Sequence, residues 1–266
     1  MEKIVKKMTL KHLLLLLVFP SMAVINNGNN WIIEKHNVYN LVFTSFDTKN
    51  TKEYNRLVEN GMVSVKSFFH APYKKFNVFI HPNRHSLDSS WRRDWNMPDF
   101  KSECWMVASG TATKLDVISP KLWDKEACEH RYSDTKKTQQ LIIHELVHVF
   151  HGQQSASTDF SNGEGIDWFI EGLATYASGQ CDSLRIAAVK KTIHEEAYPK
   201  ELDKFWSGEL KYGLSGSVVM FIDNFYGRTK LKELLPLAKK SDILSALNST
   251  EAELINNCKK FLAKGE

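Results

Sequence analysis

The chain has 266 residues, 42% of them hydrophobic and 25% charged, with a net charge of +4. This composition excludes a disordered or fibrous chain and suffices for one large domain or two small lobes. The positive balance is local: residues 1–23, MEKIVKKMTLKHLLLLLVFPSMA, hold four lysines and one glutamate, so residues 24–266 carry only +1 and show no basic signature for nucleic acid.

Residues 1–23 have the layout of a secretory signal peptide. Lysines at 3, 6, 7 and 11 surround the start of an apolar run, Leu13 to Phe19, too short to span a bilayer, and Ser21 and Ala23 are small. The pattern predicts cleavage after Ala23, a secreted or periplasmic product, and no membrane span after cleavage. Cys104, Cys128, Cys181 and Cys258 all follow that point, and an even count in an exported chain favours disulfides. The expected pairs are Cys104 with Cys128 and Cys181 with Cys258.

Residues 24–30 are polar and turn-rich, the composition of a flexible start. A strand is predicted within 36–46, then an amphipathic helix carrying Leu57, Met62, Val65, Phe68 and Phe69 that Pro72 ends, then a strand over 75–82. His81 and His85 have no cysteine or carboxylate in pattern with them and read as ordinary surface residues. Trp91 and Trp95 belong to a loop expected to pack on the core. Gly110 marks a turn, and Leu115 to Ser119 a further strand. Asp134 or Thr138 can cap the next helix, which runs to Gly152, and Asp167 can cap another over 168–178. The remainder reads as helices over 183–196, 214–226 closed by Gly227, 229–239, 242–247 and 251–262, the last opened by a Thr250/Glu253 capping box.

Leu141 to Gly152, LIIHELVHVFHG, contains the pattern H-E-x-x-H at His144, Glu145 and His148. Four residues of α-helix turn about 400° and rise about 6 Å, so both imidazoles project from one face and can take two corners of a zinc tetrahedron. Glu145 lies about 60° around the helix from His148, within reach of a water beside the metal without being a ligand. A catalytic zinc needs a third protein ligand. His151 stands about 10 Å along the axis from His144, too far to share one ion on a straight helix. A metzincin would need glycine where His151 stands and histidine where Gln154 stands. Glu171 remains, on a separate helix able to pack beside the first.

The segment WFIEGLATYASG, Trp168 to Gly179, resembles the W-x-x-E-G-x-A-x-Y segment of gluzincins, which include thermolysin-like and aminopeptidase-N-like enzymes. Tyr212 to Gly227, YGLSGSVVMFIDNFYG, is similar to the tyrosine-led helix of the peptidase MA-like gluzincin domains. The three motifs span residues 141–227, and no G-x-M-E-N-type aminopeptidase segment precedes them. The resemblance implies an α+β thermolysin-like zincin: a catalytic lobe over 24–180 with a small mixed sheet and the active-site helix, and a helical C-terminal lobe over 181–266. It also implies a Zn2+ cofactor held by His144, His148 and Glu171, a peptide or protein substrate, and Glu145 as general base. Tyr212 would stabilise the oxyanion, with Tyr176 and His194 as alternatives. The strand bearing Leu115, Asp116, Val117 and Ile118 would be the edge along which extended substrate pairs. A non-catalytic peptide-binding or scaffold module on the same fold, and a zinc hydrolase of non-peptide bonds, are the alternative readings of these residues.

Overall fold

The computed structural model describes residues 22–25 and 30–264. The segment read as a signal peptide lies almost entirely outside the described residues, as does most of the polar start. Met22–Ile25 forms β1, pairing antiparallel with β2, Trp31–Lys35. β2 turns tightly into β3, Tyr39–Phe43, the strand expected within 36–46. The crossover from β3 to its parallel neighbour β4, Phe76–His81, is α1, Thr51–Phe69. Tyr54, Leu57, Val58, Gly61, Val65 and Phe69 form the buried stripe of α1, and it ends with His70 in the left-handed region, two residues before Pro72.

α2, Arg84–Asp94, connects β4 to β6, Lys114–Ile118. The tryptophan segment is therefore helical up to Asp94 rather than a loop: Asn83 caps it by accepting from the Ser86 N–H at 2.8 Å. Trp91 packs into the core as expected, stacked on Trp95 with ring centroids 5.0 Å apart. β5, Ala108–Thr111, pairs antiparallel with β6 and completes the sheet order β1-β2-β3-β4-β6-β5. Gly110 lies inside β5; the turn to β6 is made instead by Ala112 and Thr113.

β6 is thus an interior strand, bonded to β4 on one side and β5 on the other. Leu115, Asp116, Val117 and Ile118 are all buried and their backbone groups are committed to the sheet, so the edge position expected for them belongs to β5. Asp116 is the centre of a buried polar network, its Oδ1 2.8 Å from His81 Nε2 and its Oδ2 2.7 Å from Lys114 Nζ, while His81 Nδ1 lies 3.0 Å from Ser86 Oγ. Burial opposes its charge, but His81 and Lys114 overcome this and hold its carboxyl below the usual carboxylate range. His81 is accordingly a buried partner of a carboxylate and not a surface residue; His85 is exposed.

After the one-turn helix α3, Trp123–Glu126, the long helix α4, Thr135–Gln154, starts at Asp134, whose carboxylate accepts from the Lys137 N–H at 3.0 Å. From Leu141 to Gln153 every residue is buried, so α4 runs through the middle of the molecule, against α1, β5 and α5, Asp167–Ala177. Asp167 is the first residue of α5 and Ile166 its cap position. α6, Ser183–His194, leads to α7, Lys211–Leu234, which is broken where expected: Gly227 adopts φ 86°, a conformation side chains disfavour, and divides it into two helical pieces. α8, Lys240–Ala246, and α9, Glu251–Lys264, complete the chain, and α9 has its capping box, with Glu253 N–H donating to Thr250 Oγ1 at 3.2 Å and Thr250 N–H to Glu253 Oε2 at 2.8 Å.

Buried apolar residues form one continuous cluster from Tyr39 to Leu262, crossing the boundary expected near residue 180. Cys104 and Cys128 form a disulfide. Cys181 and Cys258 do not, contrary to expectation: Cys181 packs on Gly216 and Cys258 donates to the Ser217 carbonyl at 3.6 Å. Among the described residues no helix is long and apolar enough to cross a membrane.

Candidate functional site

A cleft of about 950 Å³ opens between the β5 edge and α4 on one side and the segments around α5, α6 and the start of α7 on the other. His144, Glu145, His148, Glu171 and Tyr212 all line it. The helical step on α4 brings His144 and His148 to the floor, and α5, packed against α4, presents Glu171 to them. His144 Nε2 lies 3.1 Å from His148 Nε2; Glu171 Oε2 lies 3.3 Å from the first and 3.7 Å from the second. A tetrahedral ion with bonds of about 2.0–2.1 Å has ligand-to-ligand edges of about 3.3–3.4 Å. The three donors therefore fit one metal ion, and they form such a group, with ligand atoms all within 4.8 Å of one another.

The electrostatics match that use. Burial disfavours a charged Glu171, but His148 and His144 overcome it and hold the carboxyl far below the usual range, so the carboxylate is ionised and available as a donor. Burial likewise disfavours a charged His148, and Glu171 reverses that, raising its pKa in the metal-free protein. Behind the site, His144 Nδ1 lies 3.1 Å from Gln180 Oε1.

Glu145 points into the same cleft from the adjacent position on α4 and is buried. Burial raises its pKa, with His144 and His148 pulling the other way. Gly110 of β5 lies against it: a Cβ there would stand 2.2 Å from the Glu145 carbonyl oxygen and 3.0 Å from His148 Cβ. Strand and helix pack too closely at that point for any side chain. Gly110→Ala is expected to push β5 off α4 and cost about 1–3 kcal/mol, read from urea unfolding, together with a lower metal affinity through displacement of His148. An unchanged urea midpoint would contradict the close approach.

Tyr212 stands edge-on to His144, ring centroids 6.2 Å apart, at the start of α7. Burial first, then Glu171 and Glu145, raise its pKa, so the hydroxyl keeps its proton and can donate. Its alternatives are placed elsewhere. Tyr176 donates to Asp223 Oδ2 at 2.9 Å, and His194 ends α6 away from the cleft lining. Lys211 ties the cleft mouth together, its Nζ 4.8 Å from the Trp105 ring beside the disulfide and 4.6 Å from the Trp206 ring.

His151 takes no part in the metal group. It is fully buried against Phe160 and Phe169, and burial pushes its pKa down to about 3. The unfolded chain therefore binds a proton that the fold does not between pH 6.5 and about 3, and stability should fall by about 1.4 kcal/mol per pH unit as pH drops through that window. Urea unfolding of metal-free wild type and His151→Leu across those pH values checks this: the variant should lack that part of the slope, and parallel curves would refute it.

Gln180, Gly110 and the β5 edge are the parts of the site that the sequence did not identify. A glycine within a strand is a known mark of close backbone approach, so Gly110 had a readable signal; Gln180, in a short loop, had none. No protein-family model matches the chain, and no curated protein matches it at a significant level.

Proposed function

We propose that this chain is an exported zinc peptidase of gluzincin type, similar to peptidase MA-like domains, with His144, His148 and Glu171 as ligands. The observation that carries the reading is the meeting of these three donors with Glu145 on the floor of an open cleft whose rim is the outermost strand of the sheet. Two imidazoles and one carboxylate are the donor set of a catalytic zinc that keeps one position open. Bound zinc supplies Lewis acidity, polarising a carbonyl and acidifying water at the site.

The chain's own residues do the rest. The free edge of β5, Ala108–Thr111, binds extended peptide by backbone hydrogen bonds and lays it across α4, a role that passes to it from β6. Glu145, with its carboxyl pKa raised by burial, takes a proton from the attacking water at a carboxylate oxygen and returns it to the departing amine nitrogen. Tyr212, protonated, donates its O–H to the carbonyl oxygen as negative charge develops there. The export part of the proposal rests on the lysine-flanked apolar run of residues 1–23.

A peptide-library digest by the full-length processed protein, run with and without chelator, tests the reading. Cleavage that stops on chelation and returns with zinc is expected. Metal binding without cleavage of any peptide would favour a scaffold or a hydrolase of other bonds.

A further inference from the structure

His144 and His148 face the metal group alike but are held differently from behind. His144 Nδ1 has Gln180 Oε1 at 3.1 Å, whereas His148 Nδ1 is buried without a hydrogen-bond partner. A neutral imidazole has one proton for two nitrogens, and only the nitrogen without it can bind a metal. An amide oxygen can only accept. Facing Nδ1, it holds the proton there and frees Nε2, which lies 3.3 Å from Glu171 Oε2, to bind a metal placed between the two.

The loop that carries Gln180 is tied to α5, α4 and α6. α5 ends at Ala177, and the N–H groups of Gln180 and Cys181 both fold back to the Thr175 carbonyl, at 3.0 and 3.1 Å. Gln140, one helical turn before His144 on α4, donates to the Gly179 carbonyl at 2.8 Å. Arg185 on α6 donates to the carbonyl of Gln180 itself. The loop is thereby tied to the helix that carries the ligand it serves, and the amide cannot drift independently of the imidazole.

We propose that Gln180 is a positioning residue: its side-chain oxygen selects the His144 tautomer with Nε2 free, fixes the ring, and so sets the metal affinity of the centre. This rests on the reading of His144 as a ligand. Outer hydrogen-bond partners of ligating histidines typically account for about 10–100-fold in metal affinity. Because Gln180 is a neutral acceptor, it orients the ring without adding charge; a carboxylate in its place would also raise the basicity of the imidazole.

The test compares the full chain with Gln180→Leu, similar in bulk and without an acceptor, and Gln180→Glu, which keeps one. Long-range nitrogen–proton spectra of the metal-free proteins at alkaline pH report the His144 tautomer. Wild type and Gln180→Glu should show Nδ1 protonated, and Gln180→Leu a shift of the proton to Nε2. Zinc titration against a competing chelator should then give an affinity about 10–100-fold weaker for Gln180→Leu and equal or tighter for Gln180→Glu. Equal zinc affinity and an unchanged tautomer in Gln180→Leu would overturn the proposal. The metal-free melting temperatures separate this from a folding defect, since a loss that Gln180→Glu fails to restore in an equally stable protein also overturns it. If wild type binds no zinc, the ligand reading fails on its own, while the tautomer spectra, which need no metal, still decide the part played by Gln180.

Discussion

Glu145→Gln is expected to lower peptide hydrolysis by about 10²–10⁴-fold while zinc content stays at the wild-type level. The substitution keeps the size and helical position of the side chain and removes only its ability to accept and return a proton. Glu145 is outside the metal group, so the metal should still bind. The side chain is buried on α4 beside His144 and His148, and the amide occupies the same volume as the carboxylate it replaces. Turnover numbers with metal analysis on the same sample check this; unchanged turnover at full zinc occupancy would remove Glu145 from the mechanism.

Glu171→Ala is expected to weaken zinc binding by more than the roughly 100-fold typical of losing an outer hydrogen-bond partner, because it removes one of three direct donors. It also removes the ionised carboxylate 3.3 and 3.7 Å from the two imidazoles. The two histidines would then have to hold the ion alone, and activity should vanish with the metal. Titration with a zinc indicator measures the loss. Near-wild-type affinity would take Glu171 out of the ligand set, and the gluzincin reading depends on it.

The site was legible where its geometry is local. His144, Glu145 and His148 share one helix, where spacing alone determines direction, and Glu171 is marked by the likeness of Trp168 to Gly179 to the W-x-x-E-G-x-A-x-Y segment once His151 proves too far along that helix. The broken helix at Gly227 and the Thr250/Glu253 capping box were legible for the same reason: each is set by a few neighbouring residues. What depended on distant partners was not. Gln180 meets His144 across 36 residues of sequence, and nothing in its own segment announces that contact.

The misplaced edge strand has a more specific cause. β5, ASGT, has neither the β-branched content nor the alternation that marks a strand, so nothing in the sequence contradicts the edge role that the gluzincin resemblance implies for β6. Leu115 and Val117 point to one face and Asp116 and Ile118 to the other, all four buried, so β6 is covered on both sides, and the charge of Asp116 hides that in the sequence. α2 was hidden because its apolar side is little more than Leu87 and Trp91; the asparagine cap before it was the better cue. Cys181 and Cys258 show the limit of cysteine counting, since four cysteines allow three pairings and only the packing of α7 decides.

Anomalous diffraction at the zinc absorption edge, from crystals of the zinc-loaded chain, addresses the central claim most directly. The account predicts one peak in the cleft, about 2.0–2.2 Å from His144 Nε2, His148 Nε2 and a carboxylate oxygen of Glu171. A peak bound to other residues, or a zinc held by the two histidines with Glu171 turned away, would contradict it.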